Sequence, residues 1–284
     1  MQSGVERDTP WSRYPYARLP VWLLAEHSYC EKRLELWLED PGERVSVPRD
    51  WEDTPGASSQ EGAAAAGKLA HALMAATAAV GPREAIEREG RVYLAESPFS
   101  ASFDGLPIAG VPDVACLDHG RATEILDYKF SQRRRTGLPM WERAQLNYYG
   151  YLLEESGYDA SDLLLICVYL APEASSVLEP EASEVAAAIT RAARRSVESA
   201  PPRRNWGFGP VALAEDVSAI GRCFFYNRDD ARRDLTFASE FWHGRRPAKP
   251  PLKNPWKCSS CLYNASGRCP DALAPFRGGP EFTP

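Results

Sequence analysis

The stretch "ILDYKF", residues 125–130, sets two charges, Asp127 and Lys129, inside a run that otherwise reads as a buried β-strand. Charges are costly to bury without partners. In a strand, residues i and i+2 share a face, so Asp127 and Lys129 point one way and Tyr128 the other. Taken alone, the motif fits two placements: an ion pair on the solvent side of an edge strand, or a carboxylate and a lysine flanking a metal. The neighbouring sequence has to decide.

Two β-like runs precede it, "GRVYLAE" (90–96) and "LPIAGVPDVACLD" (106–118). A turn at His119–Gly120 joins the second to "ATEILDYKF" (122–130), which predicts a three-strand meander. Asp113, in "GVPD", stands fourteen positions before Asp127, and adjacent antiparallel strands can bring such residues side by side. Two carboxylates at one point repel each other unless a cation holds them, and oxygen ligands suit Mg²⁺ or Mn²⁺. A lysine beside such a metal can orient a water or stabilise charge on a phosphate.

Helical patterns flank the meander. "EGAAAAGKLAHALMAATAAV" (61–80) is Ala-rich and ends at Gly81-Pro82, with Gly67 and His71 four apart on it. "MWERAQLNYYGYLLEESG" (140–157) carries Gln145 and Tyr149 four apart on one face, and "DLLLICVYLA" (162–171) is a continuous apolar strand. Further out, "LPVWLLAEHSYCEKRLELWLED" (19–40) has helical spacing and stops at Pro41-Gly42, and 46–60 reads as a loop. Residues 183–199 form an amphipathic pattern, 201–210 a loop, 211–243 more helix, and the Pro- and Cys-rich tail is irregular. The expected class is α/β of the α+β type, a mixed central sheet flanked by helices. Four units are expected: an N-terminal helical segment (1–60), a core (61–171), a helical extension (172–250) and a Cys-rich tail (251–284).

Composition excludes some classes. The formal net charge of −6 does not mark a nucleic-acid binder globally, so such binding would rest on local patches. Arg133, Arg134 and Arg135 form one; Arg203 and Arg204, and Arg245, Arg246 and Lys249, form others. The opening "MQSGVERDTPWSRYP" has no apolar h-region, and no run approaches the ~20 apolar residues of a membrane span, so a cytoplasmic protein is expected. In that setting seven Cys, odd in number and unevenly spaced, speak against a disulfide framework and leave metal binding open. Cys116 and Cys167 sit in apolar strands and read as core; Cys223 is ambiguous. Cys258-x₂-Cys261-x₇-Cys269 suits a thiolate site, but a closed tetrahedral site needs a fourth ligand, and no second C-x-x-C lies nearby.

Taken in order, "GKLAH", "GVPD", "DYK" and "QLNYY" resemble the motifs of the RecB-like branch of the PD-(D/E)XK nuclease superfamily. The matching positions are Gly67 and His71; Gly110, Pro112 and Asp113; Asp127 and Lys129; and Gln145 and Tyr149. The resemblance covers residues 61–170 and implies a restriction-endonuclease-like core. It implies a catalytic divalent metal on His71, Asp113 and Asp127, with the Tyr128 carbonyl, and Lys129 activating the attacking water. Gln145 and Tyr149 would face the DNA beside them.

A lone early cysteine, Cys30, with the late trio Cys258, Cys261 and Cys269, resembles the iron–sulfur staple of some RecB-like nucleases. In AddB-type helicase-nucleases, CRISPR-associated Cas-four exonucleases and exonuclease V, such a set holds a [4Fe–4S] cluster that joins the ends of the domain. Zinc is the competing occupant. No phosphate-binding G-x-x-x-x-G-K-[ST] loop is present, which sets the helicases aside. The resemblance implies a DNA exonuclease acting on single strands, frayed ends or overhangs, and prespacer processing beside the CRISPR integrase. Its alternatives are a stand-alone repair exonuclease of the exonuclease V type, and a non-catalytic nucleic-acid-binding module on the same fold. Arg133, Arg134, Arg135, Trp141 and Tyr148 are the candidate DNA contacts, as basic and aromatic groups near the site.

Overall fold

Leu164–Leu170 is buried at every position, and a strand covered on both faces belongs inside a sheet rather than at its rim. A computed structural model describes residues 9–15, 17–39, 91–130, 137–170, 182–201, 204–213, 217–251 and 255–275. The predicted Ala-rich helix with Gly67 and His71, the predicted loop at 46–60 and the Arg133–Arg135 run lie outside these residues.

In chain order the elements are α1 (Pro10–Arg13), β1 (Leu19–Pro20), α2 (Val21–Ala25), a 3₁₀ turn (Glu26–Ser28), α3 (Glu31–Glu39) and β2 (Arg91–Ala95). Then come β3 (Phe99–Phe103), β4 (Leu106–Gly110), β5 (Val114–Asp118), β6 (Arg121–Phe130), α4 (Met140–Glu155) and β7 (Leu164–Leu170). The rest are α5 (Ala182–Glu198), β8 (Trp206–Ala212), β9 (Ser218–Phe225), α6 (Arg228–Trp242), a 3₁₀ turn (Pro255–Ser260) and α7 (Leu262–Ala265).

The main sheet is mixed, in the order β2-β5-β6-β7-β9-β8, with β6 and β7 parallel and the other pairs antiparallel. A smaller sheet, β1-β4-β3, sits beside it. Side chains alternate between two cores. Ile125, Leu165 and Cys167 face the core built with α2, α4 and α6, while Leu126, Tyr128 and Val168 face the core built with α5. Helices therefore cover both faces of a mixed sheet, the layering expected from the sequence.

Four expectations need correction. The helix predicted over 19–40 breaks at Glu26–Cys30. The Ser28 and Tyr29 carbonyls, which an unbroken helix would turn to residues four further on, instead accept from Lys257 Nζ at 3.3 Å each. The strand predicted over 106–118 splits at Val111–Asp113, because Pro112 has no N–H for the ladder. A strand at 99–103 was not expected; it forms a hairpin with β4 through Asp104 and Gly105, both at positive φ. The extension at 172–250 is not wholly helical: β8 and β9 extend the main sheet, so 206–225 belongs to the core predicted to end at 171. Trp206 and Phe208 point inward while Gly207 and Gly209 alternate with them, and a Cβ on Gly221 would strike the Phe208 ring.

Candidate active site

The two-residue turn between β5 and β6 uses His119 at φ 49° and Gly120 at φ 78°, both in the left-handed region. From that turn the strands pair Asp118 with Arg121 and Leu117 with Ala122. Continued unbroken, this register would set Asp113 opposite Leu126, whose side chain faces the other core. A β-bulge between Cys116 and Leu117 shifts it, so that Cys116 pairs with Glu124 and Val114 with Leu126. One step further, Asp113 lies opposite Asp127 on the same face of the sheet. The Asp113 carboxylate also accepts the Tyr128 N–H at 2.5 Å, which fixes its orientation across the strand gap.

Both carboxylates are deeply buried, Asp113 at 4% and Asp127 at 2% exposure. Lys129 Nζ lies 2.6 Å from Asp127 Oδ2. That contact is ionic without hydrogen-bond geometry, so Asp127 Oδ2 is a buried acceptor with no hydrogen-bond donor among the described residues. Lys129 Nζ also donates to Gln145 Oε1 at 3.5 Å, and Gln145 Nε2 donates to the Tyr149 hydroxyl at 2.9 Å. Burial pushes the Tyr149 phenol well up, and the Asp127 and Asp113 carboxylates push it further, as their nearness requires. Asp113, Asp127, Lys129, Gln145 and Tyr149 therefore meet at one place between the sheet and α4. The Tyr128 side chain lies on the opposite face with the α5 core, so only its main chain belongs to the site.

Gly110 completes the packing: a Cβ there would lie 2.8 Å from Tyr149 Cε1 and 2.8 Å from Val21 Cγ2. Glu142 and Tyr169 escaped sequence reasoning. Glu142, buried on α4, accepts from Tyr169 Oη at 2.6 Å and from Cys167 Sγ at 3.4 Å. Cys167 is the ladder partner of Asp127, and Tyr169 that of Lys129, so a third carboxylate stands behind the motif strand. Its signal was present, since Glu142, Gln145 and Tyr149 at i, i+3 and i+7 share one helix face.

A second place gathers the cysteines. Cys30, Cys258, Cys261 and Cys269 line one cavity together with Arg33, Lys257 and Asn264. Burial pushes the Cys30 thiol up to about 11; the Cys261 and Cys258 thiols add to this, against Arg33. Cys269 is raised by burial and by the same two neighbours. Cys116, Cys167 and Cys223 are fully buried core residues. Among the described residues, no group of three or more His, Cys, Asp or Glu side chains is arranged to hold a metal ion.

The N- and C-terminal segments are clipped together beside this cavity. Arg246 grips the Glu31 carboxylate with both Nη atoms at 2.6 Å, and the Lys249 N–H adds a bond at 2.9 Å. Burial alone would raise the Glu31 carboxyl; Arg246, His27 and the Lys249 amide outweigh it and hold the group down at about 2. His27 donates from Nδ1 to Glu31 at 2.8 Å, while burial lowers its own pKa against the pull of Glu31. The predicted basic patch at 245–249 is thus partly structural, with Arg245 also paired to Asp104 at 2.5 Å. Of the predicted DNA contacts, Tyr148 is 1% exposed in the core and cannot stack on a base. Trp141 is half-buried and meets the Tyr29 ring edge-on at 5.3 Å.

Paired acidic residues and a lysine on adjoining strands of a mixed, helix-flanked sheet make a PD-(D/E)XK, restriction-endonuclease-like fold. A family model described as the PD-(D/E)XK nuclease superfamily matches residues 23–270, and the chain belongs to that superfamily. Its members are generally nucleases, which makes a nucleic acid the substrate class. A solved structure, the crystal structure of SSO0001, is similar at 16% identity and a TM-score of 0.44, over 92% of this chain and 90% of that one. No curated protein matches the chain. Among the described residues no helix is long and apolar enough to cross a membrane.

Proposed function

We propose that this chain is a divalent-metal-dependent DNA exonuclease acting on single strands or frayed ends, with a [4Fe–4S] cluster on Cys30, Cys258, Cys261 and Cys269. The observation that carries the nuclease reading is the convergence of Asp113, Asp127 and Lys129 under Gln145 and Tyr149.

The residues fit a hard cation. Two buried carboxylates face each other, and Asp127 Oδ2 has no hydrogen-bond donor among the described residues. His71, outside those residues, would supply the remaining side chain. Bound there, Mg²⁺ or Mn²⁺ would polarise a scissile phosphate and acidify a water. Asp113, held by the Tyr128 N–H, keeps its carboxylate aimed across the strand pair. Lys129, beside Asp127 and Gln145, would present its ammonium to the attacking water or to a phosphate oxygen. Gln145 limits movement of that ammonium through its bond to Lys129, and Tyr149 fixes Gln145.

The four thiols fit a cluster by their donor chemistry, since a [4Fe–4S] cluster takes one thiolate per iron and its ligands need not converge on a single ion. From the sequence resemblance we further propose prespacer trimming beside the CRISPR integrase. A repair exonuclease of the exonuclease V type would instead be processive on single strands without an integrase.

The test is digestion of end-labelled single- and double-stranded DNA with Mn²⁺, Mg²⁺ or EDTA, by wild type, Asp127→Ala and Lys129→Ala. Metal-dependent shortening from an end by wild type alone is expected. Equal digestion by the variants would sink the assignment, and DNA binding without digestion would favour the non-catalytic module.

A further inference from the structure

Lys257 is only 3% exposed, and its ammonium is engaged by main chain and rings. Nζ donates to the Ser28 and Tyr29 carbonyls at 3.3 Å each. It also lies 4.2 Å from the Tyr29 ring centroid and 5.1 Å from that of Trp141. A buried cation facing two aromatic rings that touch each other ties all three side chains into one unit.

The placement of this unit joins two regions. Tyr29 and Lys257 immediately precede Cys30 and Cys258, so both are fixed by whatever fixes those thiols. Trp141 sits in the first turn of α4, four residues before Gln145, which bonds Lys129. The helix has no side-chain N-cap, so its first turn depends on packing. Glu142 and Arg143 anchor other faces of that turn, to Tyr169 and to the Arg204 carbonyl. From the same turn Trp141 meets Tyr29 and Lys257, the neighbours in sequence of two of the cavity's thiols.

We propose that Lys257 is a positioning residue that transmits the state of the four-thiol cavity to the active site. With the cavity filled, Cys30 and Cys258 hold Tyr29 and Lys257 in place, these hold Trp141, and the first turn of α4 presents Gln145 to Lys129. With the cavity empty, the unit loosens and Lys129 keeps Asp127 but loses its bond to Gln145. The element with two arrangements is the first turn of α4, docked or released. This inference rests on the proposed cluster and nuclease readings, and its measurement is chosen to stand apart from both.

The experiment follows amide exchange of residues 140–149 by mass spectrometry, in wild type as purified, in wild type after iron chelation, and in Lys257→Met, which keeps the aliphatic stem. Lys257→Met is expected to retain iron, to speed exchange at 140–149 about tenfold, and to leave 164–170 within about twofold. Its kcat on single-stranded DNA should fall about tenfold with KM unchanged, since positioning of Lys129 acts on the chemical step. Chelation of wild type should reproduce the exchange change and add nothing in Lys257→Met. Unchanged exchange at 140–149 in Lys257→Met, or in wild type that has lost its iron, would overturn the proposal. A uniform rise across β7 as well would also overturn it, as simple destabilisation. If wild type holds no iron, the cluster reading fails but the Lys257→Met exchange still decides. If Lys257→Met does not fold, Trp141→Leu reads the same unit from the helix side.

Discussion

The ring of Tyr149 occupies the space that a side chain at residue 110 would need: a Cβ on Gly110 would lie 2.8 Å from Tyr149 Cε1. The glycine of "GVPD" is therefore explained by close approach, not by an unusual φ. Gly110→Ala should force the Tyr149 ring and Val21 apart. Overpacking of this kind costs about 1–3 kcal/mol. Because Tyr149 fixes Gln145, activity should fall by more than stability explains. Urea unfolding and kcat/KM, measured on Gly110→Ala beside Tyr149→Phe, check this; a Gly110→Ala protein with wild-type kinetics would show that the packing is irrelevant to the site.

Asp127 and Lys129 form an ion pair at 2.6 Å, with the carboxylate deeply buried. Removing the ammonium leaves a buried carboxylate uncompensated, so Lys129→Met should lose about 3 kcal/mol. Asp127→Asn keeps the shape without the charge and should cost less. A divalent ion can replace the missing ammonium. Mn²⁺ should therefore raise the melting temperature of Lys129→Met more than that of wild type, and that of Asp127→Asn hardly at all. Calorimetric scans with and without Mn²⁺ read all three; equal Mn²⁺ shifts in wild type and Asp127→Asn would remove Asp127 from the ligand set.

The thiol cavity makes its own forecast. Protein purified without oxygen should be brown and carry about four irons per chain. Cys30→Ser should lose the colour and melt earlier, because the N- and C-terminal segments then lose the cluster and keep their polar links, Glu31 with Arg246, Lys32 with Asp271 and Lys257 with the Ser28 and Tyr29 carbonyls, and their ring packing. Cys223→Ser, altering a core thiol away from the cavity, should keep its iron. Elemental analysis and absorbance decide, and stoichiometric zinc in colourless protein would replace the cluster reading.

What could be read in advance followed local rules. The period-2 pattern of "DYK" assigned faces to Asp127, Tyr128 and Lys129, and the structure agrees. The fourteen-residue spacing from Asp113 to Asp127 is itself informative. Across a two-residue turn, opposed residues differ by an odd number, so an even spacing already demands a bulge. The hairpin at Asp104-Gly105 carries a standard Asp-Gly turn signal, legible in the sequence. β8 was hidden by its glycines, which there make room for neighbouring side chains rather than a loop. The break at 26–30 was not legible, because the group that opens the helix is Lys257, more than two hundred residues away.

Acid should test the clip between the chain ends. In the folded protein Glu31 is held at about 2 against an ordinary 4.5, because Arg246, His27 and the Lys249 amide all favour its ionised form. A depressed carboxyl stabilises the fold wherever it is ionised in both states, which is above pH 4.5. As pH falls below that value the unfolded chain takes up the proton first, and the advantage shrinks until the folded carboxyl titrates near 2. The loss over that window is of order 3 kcal/mol. Wild type should therefore lose stability between pH 4.5 and 2 more steeply than Glu31→Gln, whose curve starts lower but lacks this component. Denaturant midpoints at half-unit pH steps compare the two, and parallel curves through that window would mean that Glu31 does not carry the clip.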